Sequence, residues 1–289
     1  MQHGTREPFQ YGECFSCKSL QILVIPDNLG AYYPRDYYAF HPASPRRTRS
    51  GLHRRLFTSW LLGSTSALAE RLARYKEREY PFFRWARLSG CSSNSAIADV
   101  GCGAGGLLRR MQRHGFTHLT GVDPYATLDV SEPGFQLRQA ELKDVGGPFD
   151  LLMLHHVLEH FEDPFSALVE AKKHLSASGA VLVRIPLAAS DSFRTYRHHW
   201  YNLDPPRHIT VPSMEGMRRL AARAGYRIVH AYCDGIEVGY LYSEYYARDI
   251  PFTQRPKPDP ERVRHFRALA TSANIRGEGD QGVFLLRPS

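Results

Sequence analysis

Asp99 stands two residues before the first of three closely spaced glycines, Gly101, Gly103 and Gly105, in the run IADVGCGAGGLL (97–108). Glycines at that spacing let a chain turn tightly and bring its backbone against a ligand, because no Cβ stands in the way. A carboxylate at the tip of the preceding strand suits a cationic ligand and would repel a pyrophosphate held on the following helix N-terminus. A second acid, Asp123, closes GVDP (121–124). It reads as a ligand for ribose hydroxyls or as a turn cap. His156, Glu159 and His160 fall at i, i+3 and i+4 in LHHVLEH (154–160), on one face if the segment turns helical. Such a trio serves as a general base with its orienting carboxylate, as a divalent-cation site, or as a hydrogen-bonded structural cluster. His208 in DPPRHI (204–209) is the rival base. Pro205 and Pro206 are expected to hold that segment extended, so that His208 projects and Arg207 meets an anionic substrate group, unless both merely anchor a loop.

Glycine spacing alone does not name the ligand. Gly101, Gly103 and Gly106 also satisfy the G-x-G-x-x-G dinucleotide pattern, with an acid, Asp123, further on. Two observations oppose a nicotinamide cofactor: Asp99 itself, and the lack of any Tyr-x-x-x-Lys pair in the chain.

These residues need elements to hold them. Ile97, Ala98 and Val100 read as a strand, while Leu107, Leu108 and Met111 recur at helical spacing. Beyond them strand-like runs near 96–100, 118–122, 149–154, 179–185, 226–232 and 282–287 alternate with helical ones near 105–114, 164–175 and 213–224. That alternation predicts an α/β fold with a parallel sheet and helices on both faces. Leu56, Trp60, Leu61, Leu68, Leu72 and Tyr75 give 56–88 a helical pattern, expected to cover one sheet edge as an N-terminal helical extension. A segment of roughly fifty residues near 233–280 is too long for an ordinary loop and is read as an inserted lid or substrate wall, rich in Tyr240, Tyr242, Tyr245 and Tyr246.

Four motifs in order, DVGCGAG (99–105), GVDP (121–124), FDLLMLHHVLEHFEDP (149–164) and GAVLVRIP (179–186), make the chain resemble the class I S-adenosylmethionine-dependent methyltransferases. WYNLDPPRHITVPSMEGMRRLAARAGYRI (200–228) extends the likeness toward the small-molecule branch of that family, of the methyltransferase domain 11/23 type. The resemblance implies a Rossmann-like seven-stranded sheet whose last strand is antiparallel, and S-adenosylmethionine as cofactor. It places Asp99, Gly101, Gly103, Gly105 and Asp123 around that cofactor, Glu141 near the adenine, and Leu154 and His155 on the floor beneath it. His156, Glu159, His160 and His208 are the candidates for deprotonating the acceptor. The [DN]-P-P-[YF] motif of amino-methyltransferases belongs directly after the fourth strand, where this chain has LHHVLEH. An oxygen or carbon acceptor on a small molecule, such as a sugar, glycan precursor or natural-product intermediate, is therefore the leading expectation. An RNA methyltransferase, an NAD-dependent oxidoreductase and a non-catalytic cofactor-binding protein are the alternatives.

Some relatives carry an N-terminal zinc ribbon of two Cys pairs followed by a segment like AYYPRDYYAF (31–40). Here Cys14 and Cys17 are a single pair, and tetrahedral zinc wants four ligands. Residues 1–50 thus read as an extension with a partial ribbon, and 51–289 as the methyltransferase domain; no metal ligand set is assigned. Five cysteines without disulfide-framework spacing, no apolar run of membrane length and no secretory leader lead to the expectation of a reduced, cytoplasmic protein. A net charge of +8 could favour an anionic partner, but much of it sits in SPRRTRSGLHRR (44–55), and no RNA-binding motif accompanies it. Neither a nucleic acid nor a membrane is expected as partner, and the oligomeric state is left open.

Overall fold

The computed structural model describes residues 7–33, 52–126 and 129–289. Most of AYYPRDYYAF and most of the basic run at 44–55 lie outside the described residues.

The chain opens with a short hairpin, β1 (Tyr11–Glu13) and β2 (Leu20–Ile22), in the register Tyr11↔Ile22 and Glu13↔Leu20. Three helices follow: α1 (Leu52–Gly63), α2 (Ala67–Glu79), which Ser66 caps by accepting from the Ala69 N–H, and α3 (Phe82–Ser89), which ends on left-handed Gly90. Leu56, Trp60, Leu68 and Tyr75, read from the sequence as part of a covering stripe, are exposed. Leu61 of that stripe is buried, together with Thr58, Ala69 and Ala73, and the buried face continues through Phe82, Phe83 and Trp85 of α3. Small side chains permit close approach of helices, and the aromatic side chains of α3 bury far more apolar area.

Next come β3 (Ala96–Val100), α4 (Gly106–Arg113), β4 (His118–Val122), β5 (Val130–Glu132), β6 (Phe135–Arg138) and β7 (Phe149–His155). After them lie α5 (Pro164–Lys173), β8 (Leu175–Pro186), α6 (Asp191–Tyr196), β9 (Thr210–Val211), α7 (Met214–Arg223) and β10 (Tyr226–Cys233). The chain ends with α8 (Val238–Ala247), α9 (Pro260–Arg276) and β11 (Gln281–Pro288). The segment read as an insert near 233–280 thus contains two helices. Asp259 caps α9 with Pro260 in its first turn, and Gly277 closes it in the left-handed conformation.

The described residues fall into two compact units. One, here the glycine-loop unit, holds 52–126, 129–155, 167–182 and 285–289. The other, the histidine unit, holds 7–33, 156–166 and 183–284. β8 and β11 run through both.

In the glycine-loop unit the strand order is β8-β7-β3-β4-β6-β5. β3 pairs parallel with both β4 and β7, and β4 with β6, while edge strand β5 is antiparallel to β6. Leu151, Leu152, Met153 and Leu154 are all fully buried, as a central parallel strand covered on both faces requires. The main sheet has eight strands rather than the expected seven, all told. The surplus comes from the β5–β6 hairpin, turned at Pro133-Gly134, where Gly134 has φ +74° and any Cβ would lie 1.9 Å from the Thr117 carbonyl oxygen.

In the histidine unit the main-sheet order is β10-β11-β8, and β9 joins the hairpin in a small sheet of order β1-β2-β9. Leu20 and Val211 pair across it and share a core with Ala188, Phe193, Trp200 and Leu203. α8 and α9 pack through Tyr240, Leu241, Tyr245, Phe266 and Ala270. No helix among the described residues is long and apolar enough to cross a membrane.

Candidate functional site

The parallel register aligns the ends of three strands in the glycine-loop unit. Asp99 lies beside Gly121 and Met153, so the loops after β3, β4 and β7 leave the sheet at the same edge, where open α/β sheets bind ligands. The loop after β3 is held by glycine backbone: φ is +70° at Gly101, +53° at Gly103 and +74° at Gly105. Gly105 caps α4, and a Cβ there would meet Leu137 at 2.6 Å. Asp123 ties two of these loops together. Its Oδ2 accepts the Gly103 N–H at 2.9 Å and its Oδ1 the Tyr125 N–H at 2.8 Å. Both readings of Asp123 survive, because a carboxylate oxygen that accepts one hydrogen bond keeps a lone pair for another.

Asp99 is only 3% exposed, and its Oδ1 has no hydrogen-bond partner among the described residues. Burial, and then the charge of Asp123, push its carboxyl up to about 8. A buried, unpartnered carboxyl is costly alone and is satisfied by a ligand ammonium or hydroxyl, which S-adenosylmethionine offers. The residues present therefore fit the cofactor that the sequence resemblance implies. Leu154 is fully buried at the end of β7, and the ring of His155 lies 5.4 Å from that of Trp85. Glu141 is exposed on the loop after β6, in an ion pair with Lys143 at 2.9 Å.

The histidine unit gathers its residues differently from the helical face read from LHHVLEH. His156 takes φ +57°, and only a short 3-10 turn, Leu158–His160, follows. Arg184 Nη1 donates to His156 Nε2 at 2.5 Å, so the ring proton belongs on Nδ1, 3.4 Å from Glu159 Oε1. Burial, then Arg184 and His208, hold His156 well below the ordinary histidine range. The His156 Nε2 lone pair is thus committed to a guanidinium, while Nδ1 faces Glu159. Arg184 is fixed in turn by Asp234 Oδ2 at 2.7 Å.

Glu159 is fully buried, its Oε2 has no hydrogen-bond partner among the described residues, and its Oε1 lies 3.9 Å from His208 Nε2. The segment carrying His208 is a turn, not extended, because Asp204 takes φ +39° and binds Arg207 through Nε at 3.0 Å and through Nη2. Arg207, read from the sequence as a partner for an anionic substrate, thus has a buried carboxylate instead. Its backbone carbonyl accepts His160 Nδ1–H at 2.8 Å, and the Asn202 carbonyl accepts His208 Nδ1–H at 2.8 Å. Burial, then His208, push His160 down to about 4. The two rings lie 4.8 Å apart.

Ligand atoms of Glu159, His160 and His208 all lie within 4.8 Å of one another. Bonds of roughly 2.0–2.2 Å to a divalent ion would require this cluster to contract. At the hairpin, Cys14 and Cys17 are free thiols, and no cluster of three metal-ligating groups includes them among the described residues.

Sequence reasoning gave no role to Arg184, Asn202 or Asp204. A charged residue inside the apolar strand run LVRIP was the available signal for Arg184, since buried charge demands a partner. Asn202 acts through its backbone and left none.

A family model described as a methyltransferase domain matches residues 70–231, more than half of the chain. A ubiquinone biosynthesis O-methyltransferase of Caulobacter sp. (strain K31) is 34% identical over 99 residues, 30% of this chain and 39% of that protein. EEF1A lysine methyltransferase 2 of Danio rerio is 42% identical over 121 residues, 38% of this chain and 52% of that protein. A tRNA U34 carboxymethyltransferase of Alcanivorax borkumensis is 30% identical over 124 residues, 38% of each. The chain thus spans about half or less of the length of these relatives. Among solved structures, a SAM-dependent methyltransferase from Archaeoglobus fulgidus aligns at 17% identity over 76% of this chain and 94% of that one, with a TM-score of 0.46.

Proposed function

The chain belongs to the methyltransferase-domain family, and we propose that it transfers a methyl group from S-adenosylmethionine to an oxygen or carbon of a small molecule. The observation that carries the cofactor is Asp99, buried at a strand tip with an unpartnered oxygen beside three left-handed glycines. In this reading Asp99 and the glycine loop take the amino-acid end of the cofactor, Asp123 the ribose, and Leu154 and His155 the floor. Glu141, read from the resemblance as lying near the adenine, has an exposed side chain paired with Lys143.

When bound, S-adenosylmethionine supplies an activated methyl on a sulfonium. What remains for the protein is to align the acceptor and remove its proton. A hydroxyl or an acidic carbon needs that proton removed during transfer, and the histidine unit holds groups suited to it. His208 keeps Nδ1 on the Asn202 carbonyl, leaving Nε2 to take a proton with Glu159 and Asp204 carboxylates 3.9 and 3.8 Å away. His160 stays neutral beside it. A sugar, glycan precursor or natural-product intermediate is the acceptor class we favour, on the replacement of the amino-methyltransferase motif by LHHVLEH.

The net charge of +8 favours a second reading, an RNA acceptor. Calorimetry with S-adenosylmethionine, S-adenosylhomocysteine and NADH tests the cofactor. Binding of the first two that Asp123→Ala weakens is the expected result; preference for NADH would overturn it. RNA retention that falls steeply with salt would move the acceptor to the second reading.

A further inference from the structure

Cys14 and Cys17 sit in the turn of the β1–β2 hairpin. The turn is pinned by Cys14 N–H donating to the Ser19 carbonyl and Lys18 N–H donating to the Cys14 carbonyl, both at 2.8 Å, with Lys18 at φ +62°. Cys14 is exposed and Cys17 half-buried. Cys14 Sγ lies 3.4 Å from Ser16 Oγ, and hydrogen bonding, from the Ser16 hydroxyl first and then from the Cys17 N–H, pulls its thiol down to about 6, while the Cys17 thiol donates to Ser19 Oγ at 3.2 Å. Arg219 reinforces the turn by donating to Ser16 Oγ at 3.2 Å.

Cys17 also borders a cavity of about 250 Å³ that presents Lys18 and Arg218 together with Glu215 and Glu278. Charges of both signs around a thiol match a zwitterionic peptide disulfide better than a neutral one.

The hairpin does not end in solvent. Ser213 Oγ donates to the Cys17 carbonyl, and the Ser213 N–H donates to Ser19 Oγ at 3.1 Å. Ile22 N–H donates to the Ile209 carbonyl at 2.9 Å, and Tyr11 Oη–H to the His208 carbonyl at 2.7 Å. The backbone of 208–213 is therefore hung on the strands that flank the cysteine turn.

We propose that Cys14 and Cys17 form a thiol–disulfide exchange site for small zwitterionic disulfides of the glutathione class, and that its oxidation is transmitted through the hairpin to the His208 backbone. The exposed Cys14 thiolate attacks one sulfur of the small disulfide, forming a mixed disulfide and releasing one thiolate. Cys17, losing its proton, attacks Cys14 Sγ, closes the internal disulfide and releases the second thiolate. The protein is oxidised by two electrons, and the small disulfide is reduced to two thiols. Closing that bond reshapes the turn whose Cys17 carbonyl holds Ser213.

The test uses the full reduced chain in buffers of graded reduced and oxidised glutathione, with alkylated thiols mapped by mass spectrometry. Cys14 and Cys17 are expected to oxidise together while Cys91, Cys102 and Cys233 stay reduced. Cys17→Ser is expected to trap glutathione on Cys14, and Cys14→Ser to trap none. In the reduced chain Cys14 is expected to alkylate on the order of tenfold faster at neutral pH than an ordinary thiol. Oxidation is expected to change amide exchange over 208–213 by roughly tenfold, with Cys14→Ser insensitive. A pair that stays reduced in fully oxidised glutathione, reacts no faster with glutathione disulfide than with a neutral disulfide, or carries zinc that shields both thiols would overturn the exchange site. Oxidation that leaves exchange over 208–213 unchanged would overturn the transmission. None of these readouts requires methyl transfer, so failure of the proposed activity would be seen separately.

Discussion

Glu159 Oε1 stands 3.9 Å from His208 Nε2, opposite the Nδ1 that the Asn202 carbonyl holds. The arrangement fixes the tautomer of His208 and leaves a buried carboxylate facing the nitrogen that would receive a proton. Removing either partner should slow turnover more than it weakens substrate binding. His208→Asn is expected to lower kcat by about 100- to 10,000-fold, with cofactor affinity unchanged. Glu159→Gln is expected to lower it less. A change confined to KM would count against a catalytic pair.

His160 makes a separate pH prediction. Burial pushes it down to about 4, so it remains neutral at any ordinary assay pH. An acidic limb of the rate profile above pH 5 should therefore survive in His160→Asn. Its disappearance in that variant would show that His160 is the titrating group.

Asp99 sets stability against binding. Its carboxyl is raised from 3.8 to about 8 by burial and then by Asp123, so the folded state holds a proton that the unfolded chain releases. Across that window stability falls as pH rises, by about 1.4 kcal/mol per pH unit at most; below it the penalty is absent, and above it the penalty is complete. Asp99→Asn should raise the melting temperature of the free protein at pH 8 and flatten its pH dependence, while weakening S-adenosylmethionine binding. Thermal melts from pH 5 to 9 with parallel calorimetry would check both.

Gly105→Ala faces two costs, a left-handed φ of +74° and a Cβ 2.6 Å from Leu137. A loss of about 1–3 kcal/mol in urea unfolding is expected. Gly90 has φ +80° but nothing within 4 Å of a built Cβ, so Gly90→Ala isolates the backbone cost and should be milder. Equal losses would remove the packing argument.

Asp204 and Arg207 form a buried ion pair beside both histidines. Arg207→Met alone strands a buried carboxylate and should cost about 3–5 kcal/mol, whereas Arg207→Met with Asp204→Asn should recover much of it. Equilibrium unfolding of the single and double variants measures that coupling.

The glycine loop was legible because its chemistry is local. Asp99, the three glycines and Asp123 sit at strand ends marked by apolar runs, and the strands flanking them appear within a few residues of where the sequence placed them. Strands β5 and β6 were missed although Pro133-Gly134 marks their turn, because four residues or fewer carry too little periodicity to read. The stripe through Leu56, Leu68 and Tyr75 misled for another reason: α1 and α2 each have two faces able to pack, and a sequence does not show which finds a partner.

By itself the sequence determined the α/β alternation, the strand-to-helix glycine turn and the types of residue available for proton transfer. Only the tertiary structure decided which histidines meet. A left-handed backbone at His156 and another at Asp204 turn the two segments so that Glu159 and His160 face His208, while His156 is drawn to Arg184. Spacing along a chain fixes neighbours only within a regular element. Where the backbone leaves that regularity, side-chain partners are chosen by burial and by the need of each buried charge for an opposite one.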